Sequence, residues 1–528
     1  MLNNKSLMLY KRQNRLCTDT MTEAEVLTII KTILDNKSES TIAEVKSATG
    51  GFSKCYDTIS AFSNKFGGTI IFGINEKKDF AIEGVKNLKT IQAKIGELCH
   101  DNMEPIVHVS MLPVKYSNKT LLAVNVPELP LNKKPCYYKP EGLSRGAYTR
   151  IGDRDERLTD YEIYAFQSYN MGERDDLRPN IRADLSDFNK DFLGNYLNKI
   201  KSDKPNLSKS PKSRILNLCG ITCKTNGNIF PTLASTLVFG EYPQAYFPQL
   251  FIACVAIPGT EIGETGMEGQ RFDDNHRIEG TIEEMLEGAL AFLRRNMKVK
   301  VIIDSNGNRT DRPEYPIKAL REAIANALVH RDYSKYTENA YIKISVFTDR
   351  IEIVNPGALY GRNRLELLGT DKPMDSRNPN LVRLLEEKNP QLGDKPILEN
   401  RHSGILTMRR EMEQYGLPEP EFINGRDEFT VIFRNSTNKP QNTQVDPSKT
   451  TQVTTQVTTQ VTTQVAKKNQ MILKYCKTPR SVAEISNYLG LSSSGYTRKK
   501  YIIPLIKSGQ LKRTNESSPT APNQKYYS

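Results

Sequence analysis

The chain has 528 residues, 38% of them apolar, and a formal net charge of +13. That length suggests about three or four domains. With no apolar run long enough to cross a bilayer and no secretory leader in the polar, basic residues 1–19, the expectation is a cytoplasmic protein without a membrane partner. The eight cysteines include no Cys-x-x-Cys pair and the five histidines are dispersed, which argues for reduced thiols and against a disulfide framework or a zinc cluster.

In chain order, residues 1–35 read as a tail followed by a helix that begins near Thr22. Glu39-Ser-Thr-Ile-Ala-Glu44-Val-Lys46 comes next, then a helix over Asp57–Lys65. Gly67-Gly68 then leads into Ile70-Ile71-Phe72, a buried strand after a glycine turn. Leu121–Val126 and Tyr148–Gly152 are further strands. Together Glu39–Lys46, Ala61–Gly73, Lys134–Tyr137 and Gly146–Gly152 resemble the motifs of the Schlafen/Alba-like nucleic-acid-binding domain, over residues 36–168. Two functions follow from this resemblance. One is binding, with Lys46, Arg145, Arg150 and Arg154 on phosphates. The other is metal-dependent cleavage of phosphodiesters, with Glu39, Glu44 and Lys46 as catalytic residues. Cleavage calls for a third carboxylate beside the metal. The position next to the double glycine is Phe66, which leaves Glu76 and Asp79 as substitutes. The bland alternative for Glu39 and Glu44 is a set of structural ion pairs.

Residues 169–212 are charged and partly helical, a connector. Residues 213–312 alternate strands and helices, with a buried strand at Phe251–Ala256 and an amphipathic helix at Gly280–Arg295. Gly259–Gly269 holds four glycines, but not in the order of a phosphate loop. No chemistry is assigned to this bridging stretch.

Ile317–Tyr333 (IKALREAIANALVHRDY) reads as a helix opened by Pro316. Ile317, Leu320, Ile324 and Leu328 form an apolar stripe. Glu322 and Asn326 lie four apart on the other side, where an ordinary solvated face is the bland expectation. Tyr341–Phe347 alternates as a half-buried strand. Its return strand ends at Asn355-Pro356-Gly357. Arg321–Tyr333, Asp349–Gly357, Arg377–Pro379 and His402–Ile405 resemble, in that order, the motifs of a divergent GHKL ATP-binding domain found in bacterial Schlafen-type regulators. The resemblance covers residues 313–435. It implies that the side-chain oxygen of Asn326 holds Mg²⁺ together with the phosphates, that Glu322 acts on the attacking water, and that the backbone at Gly404 approaches phosphate. Asp332, Asn355 and Gly357 would line the ATP site. Asn355 stands where the family uses an adenine-reading Asp, and Ser403 replaces the second glycine of the phosphate loop. ATP binding is therefore expected and turnover is left open. A fold that no longer binds nucleotide is the competing possibility.

Residues 436–465 form a polar linker that contains TTQV four times in succession, from Thr450 to Val465. It serves either as a tether or as a slowly winding apolar stripe for self-association. Residues 466–528 contain 12 Lys/Arg against two Glu, a strong positive excess that points to a polyanion. Helices over Lys468–Cys476 and Ser481–Leu489, a third running from Ser492 toward Ile506, and strands at Leu511–Thr514 and Lys525–Ser528 resemble a winged helix. Arg498, Lys499 and Lys500 on the third helix would meet DNA. The expectation is an α+β multidomain protein: a Schlafen/Alba-like α/β domain, a central α/β region with a GHKL-like ATP-binding sandwich, and a C-terminal winged helix-turn-helix. Its function would be that of an ATP-binding, DNA-binding transcriptional regulator with Mg²⁺. The rival is a nucleotide-gated nuclease. RNA as the target and a homo-oligomeric state stay open.

Overall fold

The computed structural model of the chain describes residues 21–48, 55–266, 268–303, 309–387, 403–435, 469, 471–489, 497–507, 510–515 and 524–528. The tail over 1–20, His402, the TTQV repeats and the loop 516–523 lie outside the described residues. The chain divides into two compact units, one of residues 1–173 with 360–363, the other of 174–359 with 364–528.

In the first unit, α1 (Glu23–Asn36) starts at Thr22, whose hydroxyl accepts from the Glu25 N–H while the Glu25 carboxylate accepts from Thr22 N–H. This reciprocal cap satisfies donors that a helix start leaves open. Four strands form one sheet: β1 (Ala43–Lys46), β2 (Gly68–Phe72), β3 (Ser110–Tyr116) and β4 (Lys119–Val126), in the order β1-β2-β4-β3. β1 runs parallel to β2 and the other pairs are antiparallel. Both faces are covered. Ile71, Leu121 and Ala123 pack with Val26, Ile30 and Ile33 of α1. Ile70, Phe72, Leu122 and Val124 pack with Ile59 and Phe62 of α2 (Tyr56–Asn64). Burial on both faces is why β2 reads as a continuous apolar run and not as an alternating one. A hairpin of β5 (Tyr148–Ile151) and β6 (Arg154–Arg157) follows, then α3 (Asp160–Met171).

In the second unit, α4 (Lys190–Asp203) precedes a six-stranded sheet. The strands are β7 (Ile252–Ala256), β8 (Asp274–Ile278), β9 (Ile342–Val346), β10 (Arg350–Pro356), β11 (Glu421–Asn424) and β12 (Glu428–Arg434), in the order β8-β7-β9-β10-β12-β11. β7 and β9 are paired in parallel from Ile252↔Ile342 to Ala256↔Val346. Backbone hydrogen bonds therefore cross the expected boundary at residue 312, and the bridging stretch supplies two strands of this sheet. The reason is β-edge chemistry: β7 would otherwise expose unpaired N–H and C=O groups. One apolar core holds α5 (Ile282–Asn296), α6 (Ile317–His330), α7 (Pro379–Glu387), α8 (Gly404–Gln414) and these strands together.

Near the C-terminus, residues 471–475 are helical. β13 (Arg480–Ser481), α9 (Val482–Tyr488), β14 (Lys512–Arg513) and β15 (Lys525–Tyr527) follow, with strand order β13-β15-β14. Ile472, Cys476, Ile485, Tyr501, Ile502, Leu505, Leu511 and Tyr526 form a small core of their own. The expected third α-helix differs: Arg498–Ile502 is a π-helical turn that runs into α10 (Ile503–Lys507). Pro504 in this stretch lacks the N–H that would bond four residues back.

Candidate functional site

The central candidate site forms around α6. Its apolar stripe behaves as expected, with Leu320, Ile324 and Leu328 buried. Its polar face does not. Glu322 and Asn326 are half-buried, because the start of α8 lies across them. A Cβ placed on Gly404 would sit 2.8 Å from Glu322 Oε2 and 3.1 Å from Asn326 Nδ2. With no side chain of its own, Gly404 lets the backbone approach both groups without displacing them. Ser403 precedes α8 without making a side-chain cap, so the helix start has no capping side chain at that position.

At the other end of α6 the motif Arg331-Asp332-Tyr333 closes the helix through three separate contacts. Arg331 is almost fully buried and donates to the carbonyls of Thr337 (3.0 Å) and Ala340. Burial lowers its pKa to about 10. The Tyr333 hydroxyl donates to the Leu328 carbonyl at 2.7 Å, which satisfies one of the carbonyls that a helix end leaves open. Asp332 accepts from the Ser334 N–H at 2.8 Å and pairs with Arg377 at 2.7 Å. Arg377 also donates to the Ala358 carbonyl at 2.6 Å. Gly357, at φ +102°, packs against this pair, and a Cβ there would lie 2.5 Å from Asp332 Cβ. Asn378 donates to the carbonyls of Val329 and Arg331 at 2.8 and 2.7 Å. Asn355 is buried on the inward face of β10, in alternation with Ile351 and Ile353. Its Oδ1 has no hydrogen-bond partner among the described residues.

The structure thus brings Glu322 and Asn326 to Gly404, and Asp332 to Gly357. Sequence reasoning missed Arg377 as the partner of Asp332, although the Arg-Asn-Pro motif was the available signal. It also missed Asp176. That buried carboxylate accepts from the N–H groups of Asn380 (2.6 Å) and Leu381 (3.2 Å) and so caps α7 from the connector. Burial raises its pKa against those two hydrogen bonds. A cap supplied from 204 residues away leaves no local sequence trace.

The second candidate cluster lies in the first unit. Arg150, expected to touch nucleic acid, is 2% exposed and cannot reach a phosphate. Its guanidinium donates to Glu44 at 2.6 Å and Asp155 at 2.9 Å, and lies 3.5 Å from Glu39. Burial opposes its charge, yet Glu44, Asp155 and Glu39 together hold its pKa above the ordinary value. Lys46 pairs with Glu44. Burial opposes this charge too, and Glu44 outweighs it. The Thr58 hydroxyl lies between Glu44 Oε1 (3.0 Å) and Asp155 Oδ2 (2.8 Å). Glu39 accepts from the Val45 N–H at 2.9 Å, while burial and Glu44 push its carboxyl up to about 7. Of the two expected substitutes for a third carboxylate, Asp79 is exposed and pairs with Lys37 at 3.0 Å, and the exposed Glu76 acts on Glu39 through its charge; the carboxylate that joins Glu44 on Arg150 is Asp155. Hairpin register could have found it. Gly152 and Asp153 form a two-residue turn, which sets Arg150 opposite Asp155. Among the described residues no group of three or more His, Cys, Asp or Glu side chains is arranged to hold a metal ion. Arg150 and Lys46 occupy oxygens that a divalent cation would need.

In the C-terminal region Arg498 is half-buried on the π-helical turn. The side chains of Lys499 and Lys500 lie outside the described residues.

Residues 39–159 match the family model described as "Schlafen, AlbA_2". Residues 339–433 match the one described as "Putative ATP-dependent DNA helicase recG C-terminal". The chain carries a Schlafen AlbA_2 domain and an ATPase-like domain of the RecG C-terminal kind. The two matches together cover less than half of the chain, and the second begins after α6, so Glu322 and Asn326 fall outside it while Asn355, Gly357, Arg377 and Gly404 fall within it. No curated protein is similar to the chain. Solved structures that are similar include the following two. The DIP2311 protein of Corynebacterium diphtheriae is 16% identical over 90% of this chain and 91% of that one, with a TM-score of 0.35. The N-terminal domain of an ATP-dependent DNA helicase RecG-related protein of Nitrosomonas europaea is 28% identical over 25% of this chain and 92% of that one, with a TM-score of 0.21. Among the described residues, no helix is long and apolar enough to cross a membrane.

Proposed function

We propose that the chain is a nucleotide-responsive regulator that binds ATP around α6 and α8 and nucleic acid through its Schlafen AlbA_2 domain and its basic C-terminal region. The observation that carries the nucleotide reading is the approach of Gly404 to Glu322 and Asn326, next to a stretch that matches an ATPase-like family. One carboxamide and one carboxylate on a half-buried face suit Mg²⁺, which takes its remaining ligands from phosphate and water. Bound there, Mg²⁺ would neutralise phosphate charge. Asn326 would hold it, the N–H groups at the start of α8 would face phosphate, and Glu322 would accept a proton from water. Titration calorimetry of ATP with Mg²⁺ into the full chain tests this. Saturable binding in the wild type that is lost in Asn326→Ala supports it. No heat from a folded wild type refutes it.

The DNA-binding part rests on the excess of 12 Lys/Arg over two Glu in residues 466–528 and on three strands and flanking helices around a separate core, as in a winged helix. Binding to duplex DNA should weaken steeply with salt, and Arg498→Ala with Lys499→Ala should flatten that dependence. In the first unit, the pairing of Glu44 with Arg150 and Lys46 and of Asp155 with Arg150 favours binding over cleavage. Mg²⁺- or Mn²⁺-dependent cleavage that disappears in the Glu39→Ala/Glu44→Ala variant would reverse that preference.

A further inference from the structure

We infer that the Schlafen AlbA_2 domain takes single-stranded nucleic acid, and that a column of tyrosines ending at Tyr138 is the platform on which a base stacks. This rests on the nucleic-acid reading of that domain above.

The aromatic rings gather where the short strand Tyr137–Tyr138 meets α2. Tyr56 and Tyr138 stack with ring centroids 4.2 Å apart and planes 14° from parallel. Tyr148 meets Tyr56 steeply inclined, at 6.0 Å. Tyr56 is thus the middle ring, and Tyr138 ends the column. Tyr148 is buried, whereas Tyr56 and Tyr138 are half-buried. The Tyr56 hydroxyl donates to Glu141 at 2.7 Å, which holds the middle ring in place. A ring already fixed loses little freedom when a ligand settles on it.

Cations stand beside this column. A Cβ on Gly146 would lie 2.5 Å from the Tyr138 carbonyl oxygen, so the neighbouring Arg145, which is exposed, lies close to that strand. Lys139 follows Tyr138 directly and is exposed. Arg157 donates to the Tyr148 hydroxyl at 3.3 Å. Two of these cations have a carboxylate nearby: Lys139 lies 3.6 Å from Glu104, and Arg157 lies 4.0 Å from Glu141. Such loose surface pairs are worth little, so a phosphate can replace the carboxylate at small cost. Arg150, by contrast, is committed to Glu44 and Asp155 inside the domain.

Flat rings beside cations select the form of the ligand. In a duplex each base has its faces against its neighbours and presents only its edges. An unpaired base offers a face to an aromatic ring. Every base has such a face, so the platform tolerates any sequence, while the cations track the backbone.

The test uses the full chain and a fluorescent oligothymidylate of about 15 nucleotides, read by anisotropy, with a duplex of the same length beside it. Tyr138→Leu keeps an apolar side chain against the core but removes the aromatic face. It should weaken the single strand about tenfold or more and leave the duplex unchanged. Tyr138→Phe should retain wild-type affinity, and Arg145→Ala should make single-strand binding less steeply dependent on salt. In the wild type, oligothymidylate carrying 5-iodouracil should photocrosslink to Tyr138 or Tyr56, located by mass spectrometry. That crosslink needs no variant, and thermal melting establishes that each variant is folded. Unchanged single-strand affinity in folded Tyr138→Leu, equal losses for single strand and duplex, or crosslinks confined to residues 466–528 overturn the inference and leave nucleic-acid binding standing. A wild type that binds neither oligonucleotide overturns both.

Discussion

The Arg377 guanidinium and the Asp332 carboxylate meet at 2.7 Å with side-chain exposures of 10% and 8%, and they join the end of α6 to the Gly357 turn. Removing one member of a buried pair leaves the other charged and unsolvated. Arg377→Ala should therefore destabilise the second unit by about 3–5 kcal/mol, measured by urea unfolding. Arg377→Ala combined with Asp332→Ala should recover part of that loss. A double-variant loss equal to the sum of the Arg377→Ala and Asp332→Ala losses would mean that the pair is not coupled.

Arg150 is the counter-charge for three carboxylates, Glu39, Glu44 and Asp155. Arg150→Met keeps much of the volume but abandons those charges, and should cost at least about 3 kcal/mol. Lys46→Met, at a partly exposed position, should cost far less. Chemical denaturation of the two variants side by side decides the matter. Similar losses would count against a central role for Arg150.

Glu39 supplies a pH dependence. Burial and the neighbouring Glu44 hold its carboxyl at about 7 in the folded protein, above the ordinary value of 4.5. Across that window the folded state keeps a proton that the unfolded state has already released. The stability contribution of Glu39 is therefore fully present below about 4.5, falls as pH rises, and is lost above about 7. The total is on the order of 2 kcal/mol after allowing for partial solvent access. Glu39→Gln should remove this slope, so its melting temperature should gain on the wild type as pH rises from about 5 to about 8. A difference that stays constant across that range would show that Glu39 does not titrate there.

Gly404 tests the close approach directly. In Gly404→Ala the new methyl would crowd Glu322 Oε2 at 2.8 Å and Asn326 Nδ2 at 3.1 Å. Both are ends of side chains that can move aside, so stability should change little, by about 1 kcal/mol or less. Affinity for ATP should fall by about tenfold or more, since a small displacement of positioning groups is expensive. Unchanged affinity would mean that the two side chains do not contact the nucleotide.

Local chemistry alone determined much of this protein. Apolar periodicity marked α6, and the helices beginning near Thr22, Gly280 and Ser481 were legible, their starts being fixed by reciprocal caps of Thr22, Thr281 and Ser481 with Glu25, Glu284 and Glu484. The glycine turns before β2 and after β10 were equally plain, because such signals act over a few residues. Tertiary structure alone decided which polar groups meet. Arg150, a surface cation by sequence, is buried because β5 and β6 pair and bring Asp155 opposite it, beside Glu44 from β1. Glu322 and Asn326, a solvated face by periodicity, are covered because α8 returns across them. Likewise, two strands of a stretch with no assigned chemistry complete the sheet beneath the candidate nucleotide site. Burial and charge pairing depend on contacts between residues far apart in the chain, and a helical or strand repeat carries no record of what will pack against its polar side.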